Sequence, residues 1–152
     1  MSNLSLAGWL ERLEQLHPSA IDLGLNRCGE VARRLDLVDT GIITATVAGT
    51  NGKGTTVAVM ESVLCASGVH CGAFTSPHLI RFNERIRVDG QEVSDETIIA
   101  AFEAIERARE EISLTYFEFG ALAALWIFKT FDVQYQLLEV GLGGRLDAVN
   151  II

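Results

Sequence analysis

A β-branched run that empties into a cluster of glycines sets the architecture of this chain. Ile42-Ile43-Thr44-Ala45-Thr46-Val47 reads as a buried strand. Ala48 leads into Gly49, Thr50, Asn51, Gly52, Lys53, Gly54, Thr55 and Thr56, and a helix follows with Val57, Met60 and Leu64 on its apolar face, closed near Gly68. Strand, glycine loop and helix in that order are the context of a phosphate-binding loop. Small residues let successive backbone N–H groups point into one concavity, and the helix N-terminus adds partial positive charge. Lys53 supplies a mobile charge for outer phosphates. The loop departs from G-x-x-x-x-G-K-[ST] at both ends. Val47 stands at the first glycine position and Gly54 where a Ser or Thr follows the lysine, so the hydroxyls arrive only at Thr55 and Thr56. The plainer reading of the same residues is a helix start with a surface lysine.

The rest of the chain alternates helix and strand around this unit. Leu6, Trp9, Leu10, Leu13 and Leu16 have helical spacing, with Pro18 beyond them, and a short helix carries Val31 and Leu35. Residues 69–75 and 133–140 read as further strands. Residues 85–88 and 91–93 flank Asp89-Gly90, the favoured pair for a two-residue hairpin turn. Ser94 caps a helix with Ile98, Phe102, Ile105 and Ile112 inside and a Glu103–Arg107 pair outside. Residues 117–129 form an apolar helix that needs cover on most sides. The expected fold is α/β: a mostly parallel sheet with helices on both faces, like a P-loop NTPase.

Charge and cysteine usage exclude several classes. Twenty acidic against 12 basic residues give a net charge of −8, without a basic block, which argues against nucleic-acid binding. An anionic ligand must therefore be held by a local device. Residues 119–128 are too short an apolar stretch for a membrane span, and residues 1–14 lack the basic start of a secretory signal. Cys28, Cys65 and Cys71 match no metal-knuckle spacing, so reduced thiols in a cytoplasmic protein are expected.

Four further segments carry candidate chemistry. Thr75-Ser76-Pro77-His78-Leu79 follows a strand, so it is either a turn or, since ligands of open α/β sheets sit beyond the carboxyl ends of strands, a segment whose Ser76 hydroxyl faces a phosphate-bound metal. Glu139 ends the run Leu137-Leu138-Glu139-Val140. It is either a solvated terminus or a partner for Mg²⁺, which favours one or two carboxylates plus phosphate oxygens. Gly141-Leu142-Gly143-Gly144-Arg145-Leu146-Asp147 fails as a dinucleotide fingerprint and reads as a substrate rim with Arg145 available to an anion. Thr115-Tyr116-Phe117-Glu118-Phe119 reads as core packing with a glutamate at a helix start, or less simply as a stacking surface for a flat ligand. Arg81, Arg85 and Arg87 alternate on the hairpin as a solvated face.

Taken together, residues 47–56, Ser76-Pro77-His78-Leu79 with Glu84-Arg85-Ile86-Arg87-Val88, and residues 138–147 resemble the signatures of the folylpolyglutamate synthases, and within them the bacterial bifunctional branch of this Mur ligase family. The similarity runs from about Trp9 onward, and Gly54 after Lys53 is what that family carries. The resemblance implies an ATP- and Mg²⁺-dependent amide ligase acting on dihydropteroate, reduced folates and L-glutamate through an acyl phosphate. It implies that Gly49, Thr50, Asn51, Gly52, Lys53, Gly54 and Thr55 hold ATP, and that Ser76 and Glu139 ligate Mg²⁺, with Lys53 and Glu139 catalytic. Ile21, Asp22, Leu23, Thr115, Tyr116, Phe117, Glu118 and Leu146 would line a pterin pocket. Residues 1–41 would be a helical lead-in with the pterin loop, and 42–152 the front of an ATP-binding core of the Mur ligase central-domain type. A third metal-ligating histidine, a carbamylated lysine and a glutamate-binding domain would lie beyond Ile152. On this reading the sheet is incomplete at the C-terminus, and the 152-residue piece alone is inactive and either self-associates or folds with its C-terminal loop disordered. A small kinase or nucleotidase, or a non-catalytic nucleotide-binding module, are the alternatives.

Overall fold

The computed structural model describes residues 4–16 and 24–152. Ile21, Asp22 and Leu23, expected in the pterin pocket, lie outside the described residues, as does Pro18. Five strands form one sheet: β1 (Ile43–Val47), β2 (Cys71–Phe74), β3 (Ile86–Val88), β4 (Gln91–Glu92) and β5 (Tyr135–Glu139). Their order is β1-β5-β2-β3-β4. β5 runs parallel to both β1 and β2, while β3 and β4 add an antiparallel hairpin to the other side of β2. Asp89 and Gly90 turn that hairpin, both at positive φ (51° and 77°), as a tight two-residue connection requires.

Five helices complete the fold: α1 (Leu6–Gln15), α2 (Asn26–Arg34), α3 (Lys53–Ala66), α4 (Asp95–Arg109) and α5 (Tyr116–Thr130). They divide between the two faces of the sheet by the period-2 alternation of the strands. On one face Ala73 and Leu137 meet Val57 of α3, with Ala45, Val47, Met60 and Leu64 around them. On the other, Phe74 and Leu138 meet the much larger cluster built by α1, α2, α4 and α5. Trp9 on α1, Phe102 on α4 and Phe119 on α5 run through this larger core at ring separations of 5.8 and 5.7 Å. α5 is covered almost all round, as its unbroken apolar sequence demands.

Side-chain caps start the helices where short polar residues stand. Ser94 accepts from the Thr97 N–H at 3.3 Å. Thr115 accepts from the Glu118 N–H at 3.1 Å, while the Glu118 carboxylate accepts from the Thr115 N–H at 2.7 Å. This reciprocal pair satisfies two N–H groups that no helix can satisfy internally.

Three expectations are corrected. Among the described residues the run 42–47 is not a buried strand. Its first two strand residues are exposed, with Ile43 at 54%. Among the described residues β1 pairs only with β5, and α5 covers β2 instead, so β1 is an edge strand with only Ala45 and Val47 packed against α3. The Glu103–Arg107 pair does not form among the described residues; Glu106 is engaged instead, by Arg109 at 2.7 Å and by Arg12 of α1. The hairpin arginines are not a uniformly solvated face. Arg81 is exposed, but Arg87 is pinned to the buried Glu61 of α3 at 2.9 Å, and to Thr75 Oγ1 and the Glu84 carbonyl at 3.1 and 2.8 Å. Arg85 lies under the rings of Phe82 and Tyr116, 5.5 Å from each centroid.

Candidate functional site

The three parallel strands end side by side. Val47 of β1 is in register with Glu139 of β5, and Phe74 of β2 with Leu138. Everything that leaves their carboxyl ends therefore gathers at one edge: the glycine loop after β1, the Thr75-Ser76 segment after β2 and the 140–147 loop after β5. The crossover from β1 to β2 passes over one face through α3, while the chain enters β5 from α5 on the other. A crevice forms where connections diverge in this way, and ligands of open α/β sheets sit there.

The loop leaves backbone donors free at the start of α3. Gly52 ends it in the left-handed region (φ 76°), a conformation that costs an L residue with a β-carbon free energy. Its missing side chain leaves α3 without a side-chain cap, so the N–H groups of the first turn lack the partner that Thr115 gives α5. Such uncapped N–H groups on a 14-residue helix suit an anion. Lys53 folds back over the loop and donates to the Gly49 carbonyl at 2.8 Å. Thr50 and Asn51 are exposed, and Thr55 faces outward. Thr56 is taken up by its own helix, donating from Oγ1 to the Gly52 carbonyl at 2.9 Å.

Glu139 sits beneath that first turn. It is 5% exposed, and its Oε2 accepts the Ser76 N–H at 3.0 Å. A β-carbon on Gly54 would lie 3.8 and 3.9 Å from the two carboxylate oxygens. A glycine at position 54 thus keeps open the gap between α3 and Glu139 that a serine or threonine side chain would occupy. A buried carboxylate with spare lone pairs, a neighbouring hydroxyl residue and an open gap beside a phosphate loop make a hard-donor set that fits Mg²⁺. Ser76, Glu139 and Gly54 come together although they lie far apart in the sequence.

The other predicted residues are distributed less evenly. Thr115 and Glu118 are both buried and engaged in their mutual cap, and Glu118 Oε1 also accepts Arg27 Nη2 at 2.9 Å. Phe117 packs on Phe74 at 5.8 Å, and its ring covers Gly141 so closely that a β-carbon there would fall 2.5 Å away. Tyr116 is half-buried beside Arg85; burial raises its phenol above the ordinary range, and the guanidinium opposes that rise. Arg145 and Leu146 are exposed on the 140–147 loop.

Residues that the sequence places in these segments without a role of their own hold the loops in shape. Asp147 is buried and accepts the N–H groups of Gly141, Leu142 and Val149 at 3.0, 2.9 and 3.1 Å. Glu84 accepts from Leu79, Ile80 and Arg81 at 2.8, 2.8 and 2.7 Å, and these bonds depress its pKa to about 2. His78 accepts from Arg85 Nε at 2.7 Å; burial first, then that guanidinium, hold its pKa below the usual value. For Asp147 the local signal of such an anchor is the glycine-rich run before it; Glu84, among Phe82, Asn83, Arg85 and Ile86, carries none.

No protein-family model matches the chain. The dihydrofolate synthase/folylpolyglutamate synthase of Escherichia coli K12 is 54% identical over 147 residues, which is 97% of this chain and 35% of that protein. The chain matches the N-terminal third of a bacterial dihydrofolate synthase/folylpolyglutamate synthase. The solved structure of E. coli FolC in complex with DHPP and ADP superimposes with a TM-score of 0.96 at 53% identity, covering 99% of this chain and 36% of that one. A bifunctional folylpolyglutamate synthase/dihydrofolate synthase with Mn, AMPPNP and L-glutamate bound gives a TM-score of 0.93 at 51% identity, again over 99% and 36%. The expected architecture, a partly parallel α/β sheet with helices on both faces, is therefore that of the folylpolyglutamate synthases. The chain spans about a third of the length of these relatives. Among the described residues no helix is long and apolar enough to cross a membrane.

Proposed function

We propose that this chain supplies the nucleotide-phosphate and metal half of an ATP-dependent ligase that joins L-glutamate to dihydropteroate and to reduced folates. The observation that carries the reading is the meeting of Gly54, Ser76 and Glu139 beneath an uncapped helix start. The relatives' bound ADP, AMPPNP, Mn, DHPP and L-glutamate support the ligand classes.

In the proposed reaction a pteroate carboxylate attacks the γ-phosphorus of ATP, the bond to the bridging β,γ-oxygen breaks, and ADP leaves. The amino group of glutamate then attacks the acyl phosphate, phosphate departs, and the amine proton passes to solvent. Such transfers depend on positioning and charge neutralisation. The N–H groups of residues 49–55 orient the phosphates, and Lys53 exchanges the Gly49 carbonyl for a phosphate oxygen. Ser76 and Glu139 would hold Mg²⁺, which neutralises phosphate charge when bound. Glu139 is held for that task by the Ser76 N–H. Ile21, Asp22, Leu23, Tyr116, Phe117 and Leu146 would face the pterin, with Thr115 and Glu118 shaping the helix start behind them and Arg145 available to an anion at the substrate rim.

The test uses the full-length protein. ADP release should require both dihydropteroate and L-glutamate. Lys53→Ala should abolish it, and Glu139→Gln should abolish the Mg²⁺-dependent release while the protein stays folded by circular dichroism. Nucleotide hydrolysis indifferent to both co-substrates would instead support a nucleotidase.

A further inference from the structure

A second cluster of metal-ligating side chains lies at the other end of β2, on the α3 side of the sheet. Cys65 is in the last turn of α3, Cys71 opens β2, and Asp89 is in the β3–β4 turn. One ligand atom from each lies within 4.8 Å of the others. We infer that Cys65, Cys71 and Asp89 form a binding site for a thiophilic divalent cation of the Zn²⁺ type. This site is separate from the phosphate crevice, and the inference does not depend on the function proposed above.

The geometry accommodates such an ion. The two sulfurs are 3.7 Å apart. With Zn–S bonds of about 2.3 Å, two sulfurs of a tetrahedral site stand about 3.8 Å apart, whereas a disulfide would bring them to about 2.0 Å. The backbone already constrains the third ligand. Asp89 Oδ1 accepts the Cys71 N–H at 2.9 Å, and the Asp89 N–H donates to the Cys71 carbonyl at 2.8 Å. Its Oδ2 meets His70 Nδ1 at 2.6 Å, and the other ring nitrogen of His70 meets the Phe131 carbonyl at 2.8 Å. That is the outer hydrogen-bonding shell that orients a ligating carboxylate. A cavity of about 330 Å³ lined by Cys65, Gly68, Val69, His70 and Asp89 opens beside the cluster, giving an entry path and room for a water as fourth ligand.

The chemistry balances simply. Burial pushes the Cys71 thiol up to about 12, so without metal it is protonated. Binding breaks the S–H bonds of Cys65 and Cys71, forms two metal–thiolate bonds, and releases two protons to solvent, with no oxidant or reductant. Ligands six and 18 residues apart on three different elements would join the end of α3, the start of β2 and the hairpin turn.

The test is a titration of the reduced, chelator-stripped full-length protein with Zn²⁺ against a chromophoric chelator, with Co²⁺ as a spectroscopic substitute. One equivalent should bind tightly, and Co²⁺ should show thiolate charge-transfer and tetrahedral ligand-field bands. Cys65→Ser should remove both, and His70→Ala should weaken Zn²⁺ binding by about 10- to 100-fold, the usual effect of losing a hydrogen bond to a ligand. Glu139→Gln should leave the site unchanged. Binding without thiolate bands, binding that survives Cys65→Ser, or binding lost in Glu139→Gln would overturn the assignment. The wild-type Co²⁺ spectrum counts the thiolate ligands even if a cysteine variant fails to fold.

Discussion

Replacing Gly72 by alanine tests the packing that carries β2, and β2 carries Ser76 to the site. A β-carbon on Gly72 would stand 2.3, 2.4 and 2.7 Å from three atoms of the Phe128 ring. Carbon atoms in contact normally sit about 3.5–4.0 Å apart, so the ring must retreat by about 1 Å. It has little room to do so. Phe128 is fully buried, and β2 is fixed on both sides by β5 and β3. Overpacking of this kind typically costs about 1–3 kcal/mol, and a clash with an immobile strand belongs at the upper end. Against this, alanine in a strand interior is favoured over glycine by roughly 0.5–1 kcal/mol. The clash wins, leaving a net loss of about 2 kcal/mol. At about 2–4 °C per kcal/mol for a chain of this size, the melting temperature should fall by about 4–8 °C. Differential scanning calorimetry of Gly72→Ala, Phe128→Leu and the double variant measures it. Phe128→Leu alone leaves a cavity and destabilises, but the double variant should be more stable than the sum of the two single losses by about 1 kcal/mol or more. A Gly72→Ala protein as stable as its parent, or strictly additive variants, would refute the reasoning.

Two further outcomes follow from single side chains. The Glu84 pKa is about 2 when folded against an ordinary 4.5, so its stabilisation is fully present above about 4.5 and is lost as pH falls toward 2; the gap in melting temperature between the parent and Glu84→Gln should shrink through that window, and a gap constant from pH 6 to 2 would contradict it. Thr115→Ala removes the side-chain acceptor of the α5 cap and leaves the Glu118 N–H without its partner, which should cost about 1 kcal/mol, with a range of roughly 0.5–2, in chemical denaturation; no change in the denaturation midpoint would show that the cap is idle.

What the sequence displays is local. The strand, glycine loop and helix occupy 24 consecutive positions, from Ile43 to Ala66, so their chemistry can be read from neighbours. Asp89-Gly90, Ser94 and Thr115 are readable for the same reason: a turn or cap is decided within four residues. What the sequence hides is set by partners far along the chain. Ile43 and Thr44 look like core by residue type, but among the described residues β1 is the outer strand of the sheet. Arg87 looks solvent-facing by alternation, yet Glu61, 26 residues earlier, waits on α3 to pair with it. Cys65 and Cys71 show no metal spacing because Asp89, 18 residues after Cys71, arrives from the hairpin turn.

Strand β2 links these observations. Cys71 opens it at the metal-ligating cluster, and Ser76 lies two residues past its other end, against Glu139. Between them the strand is hydrogen-bonded on both sides and pressed on one face by Phe128. Just beyond its end Thr75 donates its N–H to the Arg85 carbonyl at 2.9 Å, while its hydroxyl accepts from Arg87, itself anchored on Glu61 of α3. Arg87 therefore ties the segment leading to Ser76 to the helix that begins at the phosphate loop. A strand only four residues long can place a hydroxyl reliably only when such contacts fix both its ends. Ser76 then meets a carboxylate whose own position is fixed by the register of β5 with β1, so each part of the crevice is set by an element with little freedom to move, which is what the proposed phosphoryl transfer would need.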